Sequence, residues 1–372
     1  MTRDWSTWAE DELGAIRDAG RSRQPRDFDA AGTRGTIDGR PVVSFASNDY
    51  LGLTQHPTVV AAARDALDRW GTGSGSARLI VGSRPCHSEL ELELASWKRT
   101  EAAVLFPTGF ATNLGVLSTF GAGGGIILSD ELNHASIIDG CRLARAEVHV
   151  FRHADAEQVE AMLSSHGGPA IVVSDTVFSM DGDVAPVDDL ARICAAHGAL
   201  LVMDEAHAVL GPDPDLSDVD AVRIGTLSKT LGALGGFAAG TQPMMELLVN
   251  RARSYIFTTA STPADTAAAT AALRLVRGDE GHRLRCRLRA HVDRVAPGHP
   301  SPIIPVIIGD ERATVAASAA LFERGLLVPA IRPPTVPPGS SRLRIALSAA
   351  HTEEQIDDLI GGLDACVPDW RG

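Results

Sequence analysis

LLVMDEAH (Leu200–His207) and GTLSK (Gly225–Lys229) are the two segments that decide the fold of this 372-residue chain. The first is an apolar run that predicts a buried strand ending at the acidic Asp204. The second predicts a strand that ends in hydroxyl side chains followed by Lys229. An acid for a pyridinium nitrogen, hydroxyls for a phosphate and a lysine for a Schiff base are what pyridoxal phosphate requires of a protein. Together the two segments predict an enzyme that uses this cofactor.

Strand-like and helical patterns alternate on both sides of these segments. The strand-like runs are Ala103–Phe106, Gly125–Leu128, Glu147–Phe151, Ala170–Ser174, Leu200–Met203 and Ala221–Thr226. Helical patterns separate them, for example at Ala154–Ser165 and Pro186–His197. The alternation predicts an α/β fold with a mostly parallel sheet covered by helices on both faces. Ligands of such sheets bind at the carboxyl ends of the strands, so one pocket can collect Asp204, Ser179 and Lys229.

Three regions are predicted along the chain. Residues 1–45 form an N-terminal arm, which includes a hairpin over Thr36–Phe45. Residues 46–280 form a large cofactor-binding domain, and a long helix over Pro263–Arg277 leads out of it. Residues 281–372 form a smaller C-terminal α+β domain.

Composition limits the classes of partner. The formal net charge of −13 argues against nucleic acid or an anionic membrane as the main partner. The five cysteines are odd in number and lack CxxC spacing, which argues against a disulfide scaffold and a metal site. No run of eighteen apolar residues is present, so we expect a cytoplasmic protein without a membrane span.

Lys229 and Asp204 each have an ordinary alternative. Lys98 is the only other lysine of the chain, and the remaining basic residues are arginines, which favours a chemical role for Lys229 over a place on the surface. Asp204 could instead cap a helix after the strand. DEAH also occurs in helicases, but that role needs an upstream GxxxxGK[ST], which the sequence lacks. We therefore exclude the helicase interpretation.

Further candidates lie at other predicted strand ends. The amides of Gly109 and Phe110 would be free at the start of a helix and could bind a phosphate, although an ordinary turn explains the pattern equally well. His134 could stack on a planar ring, with a helix-capping or core histidine as the alternative. His207 and Ser179 could both donate to the phenolic oxygen of that ring.

Arg342 and Arg344 alternate along the predicted strand RLRIALS, so both point to the same face. An arginine there could hold a substrate carboxylate through two parallel hydrogen bonds. The alternative is an edge strand with solvated arginines.

From about residue 40 to residue 360, the motifs of this chain and their order resemble those of the α-oxoamine synthases. These are fold-type I pyridoxal phosphate enzymes that condense an amino acid with an acyl thioester. The motifs that carry the resemblance are SNDYLGL (Ser47–Leu53), TGFATN, LNHAS, VFSMDGDVAP (Val177–Pro186), DEAH, TLSK and AIRPPTVPPGSSRLRIALSAAHT (Ala330–Thr352). The resemblance implies that the catalytic residues are Lys229, His134, Asp204 and His207. Lys229 would form the Schiff base and Asp204 would face the ring nitrogen.

The same resemblance implies the other contacts. Cofactor contacts would come from Gly109, Phe110, His134, Ser179, His207 and Thr226, with Ser228 as a further candidate. Thr258 and Thr259 would contribute hydroxyls across a dimer interface. Substrate contacts would come from Asn48, from Arg344 with Arg342 as the fallback, and from Arg21, for which Arg17 and Arg23 are alternatives.

Within the family, IRPPTVP…RLRI…HT is most similar to the branch that acts in biotin biosynthesis. That similarity implies a homodimer that condenses L-alanine with a pimeloyl thioester, carried on coenzyme A or on an acyl carrier protein, and releases CO2. The alternatives are a glycine C-acetyltransferase or a relative that uses glycine and a short acyl-CoA, an aminotransferase, and a non-catalytic partner subunit of the same fold.

Overall fold

A seven-stranded sheet forms the centre of the computed structural model, which describes residues 4–371. The strands in chain order are β1 (Asp29–Ala31), β2 (Arg34–Ile37), β3 (Arg40–Ser44), β4 (Ala102–Phe106), β5 (Ile126–Asp130), β6 (Glu147–Phe151), β7 (Ala170–Asp175), β8 (Leu200–Asp204), β9 (Ala221–Thr226), β10 (Gly236–Gly240), β11 (Ile303–Gly309), β12 (Leu326–Leu327), β13 (Ala330–Ile331) and β14 (Ser341–Ala346).

Helices cover this sheet and complete the C-terminal part. They are α1 (Trp5–Asp18), α2 (Pro57–Trp70), α3 (Pro85–Lys98), α4 (Gly109–Phe120), α5 (Ala135–Leu143), α6 (Ala156–Ser165), α7 (Val187–His197), α8 (Gln242–Arg251), α9 (Arg253–Ile256), α10 (Pro263–Arg277), α11 (Asp279–Val295), α12 (Glu311–Glu323) and α13 (Glu353–Cys366). Among these helices of residues 4–371, none is both long and apolar enough to cross a bilayer.

The strand order of the large sheet is β4-β10-β9-β8-β7-β5-β6. Strands β6, β5, β7, β8 and β9 pair in parallel, whereas β10 runs antiparallel between β9 and β4. The prediction of a mostly parallel sheet is therefore confirmed. Strand β10 was not predicted, because its sequence GFAAG consists largely of glycine and alanine, which are depleted in strands.

Both faces of the sheet are buried, as a parallel sheet requires. Because successive side chains of a strand point to opposite faces, Val173 of β7 packs in the core that contains Leu117 of α4. Its neighbour Val172 packs on the other face against the core that contains Val159 of α6 and Leu190 of α7. Full burial of one such side chain contributes about 1.5–3 kcal/mol. The strands were predicted from continuous apolar runs, and these runs are apolar throughout because both faces of each strand are buried.

Two smaller sheets lie outside the large one. The predicted hairpin of the arm is present, and its turn residues Asp38 and Gly39 have φ angles of 52° and 76°. Strand β3 of this hairpin also pairs in parallel with β12, so the arm shares a sheet with the C-terminal part of the chain. Strands β11, β14 and β13 form an antiparallel sheet. The division at residues 45 and 280 stays a prediction, and the β3–β12 pairing connects its first and third regions.

Candidate active site

A cavity of about 170 Å³ lies at the carboxyl ends of the parallel strands. Parallel strands end at one edge of a sheet, so the segments that follow β4, β5, β8 and β9 meet there. Eight predicted residues line this cavity: Gly109, Phe110, His134, Asp204, His207, Thr226, Ser228 and Lys229. The structure thus brings the predicted amine and the predicted carboxylate into one cavity.

Asp204 is the last residue of β8 and is buried. One carboxylate oxygen accepts a hydrogen bond from the side-chain amide of Asn113 at 2.7 Å. The other accepts from the backbone amide of Ala206 at 2.9 Å. Hydrogen bonds from neutral donors stabilise the charged form of a carboxylate. Asp204 is therefore held in place as a hydrogen-bond acceptor at the wall of the cavity.

The Lys229 amine lies 3.0 Å from Nε2 of His207. Burial lowers the pKa of Lys229 below its ordinary 10.5, and the negative charges of Asp204 and Asp175 oppose that shift. Burial also lowers the pKa of His207 well below 6.5, and the cations of Lys229 and Arg344 act in the same direction. The imidazole is therefore neutral at pH 7. The site favours an uncharged amine next to an uncharged ring, and a neutral amine is the nucleophilic form.

His134 caps a helix, which was the alternative considered from the sequence, and its predicted stacking on a planar ring stays a prediction. It precedes α5 as the N-cap, and its Nδ1 lies 3.2 Å from the backbone nitrogen of Ser136 and 2.8 Å from the hydroxyl of the same residue. It also lines the cavity. Burial lowers the pKa of His134, so the ring that faces the cavity is neutral. Capping the helix fixes the position of this ring.

Asp175 also lines the cavity, and it was not among the residues selected from the sequence. It ends β7 and pairs directly with Asp204 of β8, so two carboxylates lie side by side. One Asp175 oxygen accepts the backbone N–H of His134 at 2.7 Å. Burial, followed by the negative charge of Asp204, raises the pKa of Asp175 well above 3.8. Of the two neighbours, Asp175 is the one driven towards the neutral acid.

The opposite wall of the cavity is the start of α4. Thr108 caps this helix by accepting the amide of Ala111 at 3.0 Å. Gly109 and Phe110 lie in the first turn, where amides have no intrahelical carbonyl to bind. Across from them, the hydroxyls of Thr226 and Ser228 lie 2.7 Å apart. This wall offers backbone N–H groups and hydroxyls, which is the donor set that a phosphate group binds.

Arg344 and Arg342 are buried on β14, as their alternation on one face predicted. The Arg344 guanidinium donates to the carbonyl oxygen of Ser179 at 2.5 Å and to the side-chain oxygen of Asn48 at 3.1 Å. Arg342 pairs instead with Asp181. These contacts bring Asn48, Ser179 and Arg344 together. None of the three lines the cavity, and the connection to it runs through Tyr50, which contacts both Asn48 and His207. Both arginines are buried, so the alternative of solvated arginines is wrong.

Three predicted residues lie elsewhere. Arg21 pairs with Glu311 of α12 at 2.7 Å and is not among the residues around the cavity. Thr258 and Thr259 follow α9 and do not line the cavity either. The family resemblance implies that their hydroxyls contact the cofactor of the partner subunit across a dimer interface, and this stays a prediction.

Sequence reasoning missed several residues that hold the site together. Asn113 and Tyr50 lie inside motifs that were quoted, TGFATN and SNDYLGL, but without an assigned function. Their partners are distant in sequence, because Asn113 bonds to Asp204 and the Tyr50 hydroxyl lies 2.6 Å from Nδ1 of His207. For Asp175, the available sequence signal was its position at the end of an apolar strand, which is the same signal that marked Asp204.

The residues present fit pyridoxal phosphate. The cavity holds an acid for the ring nitrogen in Asp204, an amine with a lowered pKa in Lys229, and a helix start for the phosphate. A Cβ at Gly109 would lie 3.4 Å from Cβ of Thr226, so a side chain at this position would occupy the phosphate wall. The glycine therefore keeps that wall open.

Comparison with known proteins gives one consistent family. The model of the family described as aminotransferase class I and II matches residues 40–363. An 8-amino-7-oxononanoate synthase of Anaeromyxobacter dehalogenans is 46% identical to this chain over an alignment of 392 positions. The alignment covers 99% of this chain and 98% of the relative. A serine palmitoyltransferase of Sphingomonas wittichii is 32% identical with a TM-score of 0.91, over 98% of both chains.

A second serine palmitoyltransferase, from S. paucimobilis, was solved with a bound PLP–myriocin aldimine. It is 30% identical to this chain with a TM-score of 0.90, over 98% of both chains. The sequence match and the structural matches thus extend over nearly the whole chain. The chain belongs to the aminotransferase class I and II family and, within it, to the α-oxoamine synthases.

Proposed function

We propose that this protein condenses L-alanine with a pimeloyl thioester and forms 8-amino-7-oxononanoate, CO2 and a free thiol, as a step of biotin biosynthesis. The observation that carries the proposal is the 46% identity, over 99% of the chain, to a protein named 8-amino-7-oxononanoate synthase. The cavity supports it, because it combines an amine of lowered pKa with an acid and a phosphate-binding helix start.

Pyridoxal phosphate would be held by residues on opposite walls of the cavity. Lys229 would bind its aldehyde carbon, and Asp204 would keep its ring nitrogen protonated. His134 would stack on the ring, with His207 and Ser179 near the phenolic oxygen. The phosphate contacts would be Gly109, Phe110, Thr226 and Ser228, with Thr258 and Thr259 of the partner subunit. When bound, the cofactor supplies a protonated ring that accepts the electron pair released at the amino-acid Cα.

Lys229 would be the general base. Once its nitrogen is free, the neutral amine takes the proton from the Cα of alanine. The lowered pKa of Lys229 supports this role, because it increases the fraction of the amine that is unprotonated and can accept that proton. Later the same amine returns the proton to carbon after CO2 has left.

Arg344 would orient the amino acid. Its guanidinium is buried next to the cavity, where a carboxylate could bind it bidentately. Holding the carboxylate fixes the direction of the Cα–carboxylate bond, which must break after the acyl group has been added. Asn48 lies against this guanidinium and would line the place where the acyl group reacts.

The protein would act as a homodimer in the cytoplasm. Leu79, Ile80, Val81 and Phe257 are large apolar side chains that stay at least half exposed in the single chain. A hydrogen bond from the Ala260 amide to the Ser76 carbonyl places their two segments side by side. An exposed apolar patch of this kind is typical of a subunit interface, and Thr258 and Thr259 lie next to it.

A substrate panel tests the proposal. The protein is reconstituted with pyridoxal phosphate, and the release of CO2 and thiol is measured for alanine, glycine and serine against pimeloyl-, acetyl- and palmitoyl-CoA. We expect equal amounts of CO2 and thiol, with the highest kcat/KM for alanine and pimeloyl-CoA. A clear preference for any other pair would contradict the assignment.

Transfer of a palmitoyl group to serine is the second candidate. The observation that favours it is the TM-score of 0.91 to a serine palmitoyltransferase over 98% of both chains. The identity is 32% in that comparison against 46% for the synthase, so we place it second. The serine and palmitoyl-CoA arm of the same panel distinguishes the two.

A further inference from the structure

A second cavity lies next to the active site and is larger than it. Its volume is about 580 Å³, against about 170 Å³ for the cavity that contains Lys229. Its walls come from the end of α3, the segment 205–213 after β8, the end of β9 with the two residues after Lys229, and the junction of α10 with α11. Sites for small organic ligands measure about 300–1,000 Å³. This second cavity, called the rear cavity below, has the size of such a site.

One part of the wall of the rear cavity is apolar. Trp97, Leu231, Phe237 and Val276 line it, and the last three of these are buried. The ring centroids of Trp97 and Phe237 lie 6.3 Å apart. Aromatic and aliphatic side chains of this kind bind the apolar body of a ligand.

The other part of the wall carries a cluster of paired charges. Glu205 lies 2.5 Å from Lys98 and 2.5 Å from Arg223. Asp213 lies 3.0 Å from Arg99 and 2.8 Å from Arg223. Glu205 and Asp213 are the two carboxylates that line the rear cavity, and each has two cationic partners. The cluster has three cations for two carboxylates, so it does not repel an incoming anion.

Arg285 of α11 is a lining cation without an acid partner. It is partly buried, and within residues 4–371 it forms no ion pair. Its Nη1 donates to the carbonyl oxygen of Val276 at 2.8 Å, whereas its Nε and Nη2 have no partner among the described residues. This edge of a guanidinium binds a carboxylate through two parallel hydrogen bonds. Arg277, the neighbouring lining cation, pairs with Glu93 at 3.0 Å.

The rear cavity and the active site share part of their walls. Ala206, Gly225 and Thr226 line both cavities. Ala206 immediately precedes His207, and Thr226 lies three positions before Lys229. A molecule in the rear cavity therefore contacts the two segments that carry these active-site groups.

We propose that the rear cavity binds a small carboxylic acid with an apolar body, and that its occupation is linked to cofactor binding. The carboxylate pairs with Arg285, and the apolar body packs against Trp97 and Phe237. The bound acid packs against the shared wall and orders its segments, so less conformational entropy is lost when pyridoxal phosphate binds. The proposal does not depend on which amino acid or thioester the enzyme uses.

Calorimetric titration of the protein loaded with pyridoxal phosphate tests the site, with octanoate as the probe. We expect saturable binding of one octanoate per chain, and Arg285→Met should weaken it roughly tenfold or more. Octan-1-ol lacks the charge and should bind both proteins with Kd values within about twofold of each other. Arg287→Met is the matched control, because Arg287 is exposed on the same helix and does not line the cavity. Its affinity for octanoate should equal that of the unmodified protein.

The absence of saturable binding would overturn the proposal, and so would unchanged octanoate affinity in Arg285→Met. Loss of binding in Arg344→Met would also overturn it, because octanoate would then occupy the active site. Leu210→Trp is a second variant, which decides if Arg285→Met fails to fold. Leu210 lines the rear cavity, so the larger side chain fills it and should prevent the binding of octanoate and of octan-1-ol. Full binding in this variant would contradict the proposed location.

The link to the active site has its own measurement. The Kd for pyridoxal phosphate is determined by titration of the cofactor-free protein, with and without saturating octanoate. We expect octanoate to lower this Kd about fivefold or more, as is typical of coupled sites, and to have no effect in Leu210→Trp. A Kd that octanoate does not lower would overturn the link. If alanine is not a substrate, the proposed function fails, and these binding measurements still decide the role of the rear cavity.

Discussion

Asp204 and Asp175 are adjacent carboxylates in different environments. Asp204 accepts hydrogen bonds from the side chain of Asn113 and from the backbone amide of Ala206. The pKa of Asp175 is raised by its complete burial and by the charge of Asp204. One strand pairing therefore places two carboxyl groups with different hydrogen-bond partners in the same cavity.

Asp204→Asn tests whether this carboxylate holds the ring nitrogen of the cofactor protonated. The amide keeps the shape of the side chain but cannot hold a ring nitrogen protonated, so α-proton exchange of alanine should fall roughly 10²–10³-fold, as for other preorganised electrostatic groups. Deuterium incorporation at Cα, followed by NMR in D2O, measures this rate. Asp189→Asn, an exposed change on α7, is the control and should exchange at the unmodified rate. Unchanged exchange in Asp204→Asn would remove this residue from the mechanism.

The segment after β7 is held by an ion-paired histidine at the end of β6. His153 hydrogen-bonds to Asp130 at 3.1 Å and to Asp183 at 2.5 Å. Asp183 lies in the turn that presents Ser179 to Arg344. These hydrogen bonds with Asp130 and Asp183 raise the pKa of His153 to about 10. The histidine is thus a cation at pH 7, and it connects two strand ends to the turn beside the active site.

His153→Asn should lower stability in a pH-dependent way. A raised pKa in the folded state means that the stabilisation is fully present below the ordinary value of 6.5 and is lost as pH rises towards 10. The difference in Tm between the unmodified protein and the variant should therefore be largest near pH 6 and should shrink between pH 7 and 10. Thermal unfolding at a series of pH values measures it, and a difference that does not vary with pH would refute the ion-pair role.

Elements with a clear chemical signal were predictable, and those without one were not. The observed α10 has the predicted bounds, and its start is marked by a proline. The β6 and β9 bounds were also as predicted. Strand β10 escaped prediction because a glycine- and alanine-rich segment is held in the sheet by its two neighbours and not by its own propensity. Helix α11 was missed because its sequence is dominated by charged residues.

The candidate site divides in the same way. Lys229, Asp204, His134 and His207 could be selected because strand ends and motifs mark them, and they share one cavity. The hydrogen bonds around these residues could not be predicted from the sequence, because they join residues that are far apart in the chain. Tyr50 and His207 are 157 positions apart, and Asn113 and Asp204 are 91 positions apart. Such pairings depend on how the strands are ordered in the sheet.

The exposed apolar patch leads to a prediction about the assembled molecule. Ile80 is 73% exposed next to Phe257, and a charged residue there would be buried without a partner in a dimer. Ile80→Glu should therefore shift the protein from dimer to monomer, and activity should fall with it because the predicted Thr258 and Thr259 contacts come from the partner. Sedimentation velocity measures the association.

Val150→Glu is the matched control for this change. Val150 is 60% exposed on β6, at the opposite edge of the sheet from β4. The control should sediment as the unmodified protein does. An Ile80→Glu protein that remains dimeric, or an unmodified protein that is monomeric at micromolar concentration, would show that this patch is not the interface.

The attachment of the cofactor tests the account most directly, because the chain contains only two lysines, Lys98 and Lys229. The protein is incubated with pyridoxal phosphate, the carbon–nitrogen bond is reduced with borohydride, and the peptides are mapped by mass spectrometry. We predict the pyridoxyl phosphate mass on the peptide that contains Lys229, and its loss in Lys229→Ala together with the visible absorbance band. Stoichiometric modification of Lys98, or of neither lysine, would contradict the account.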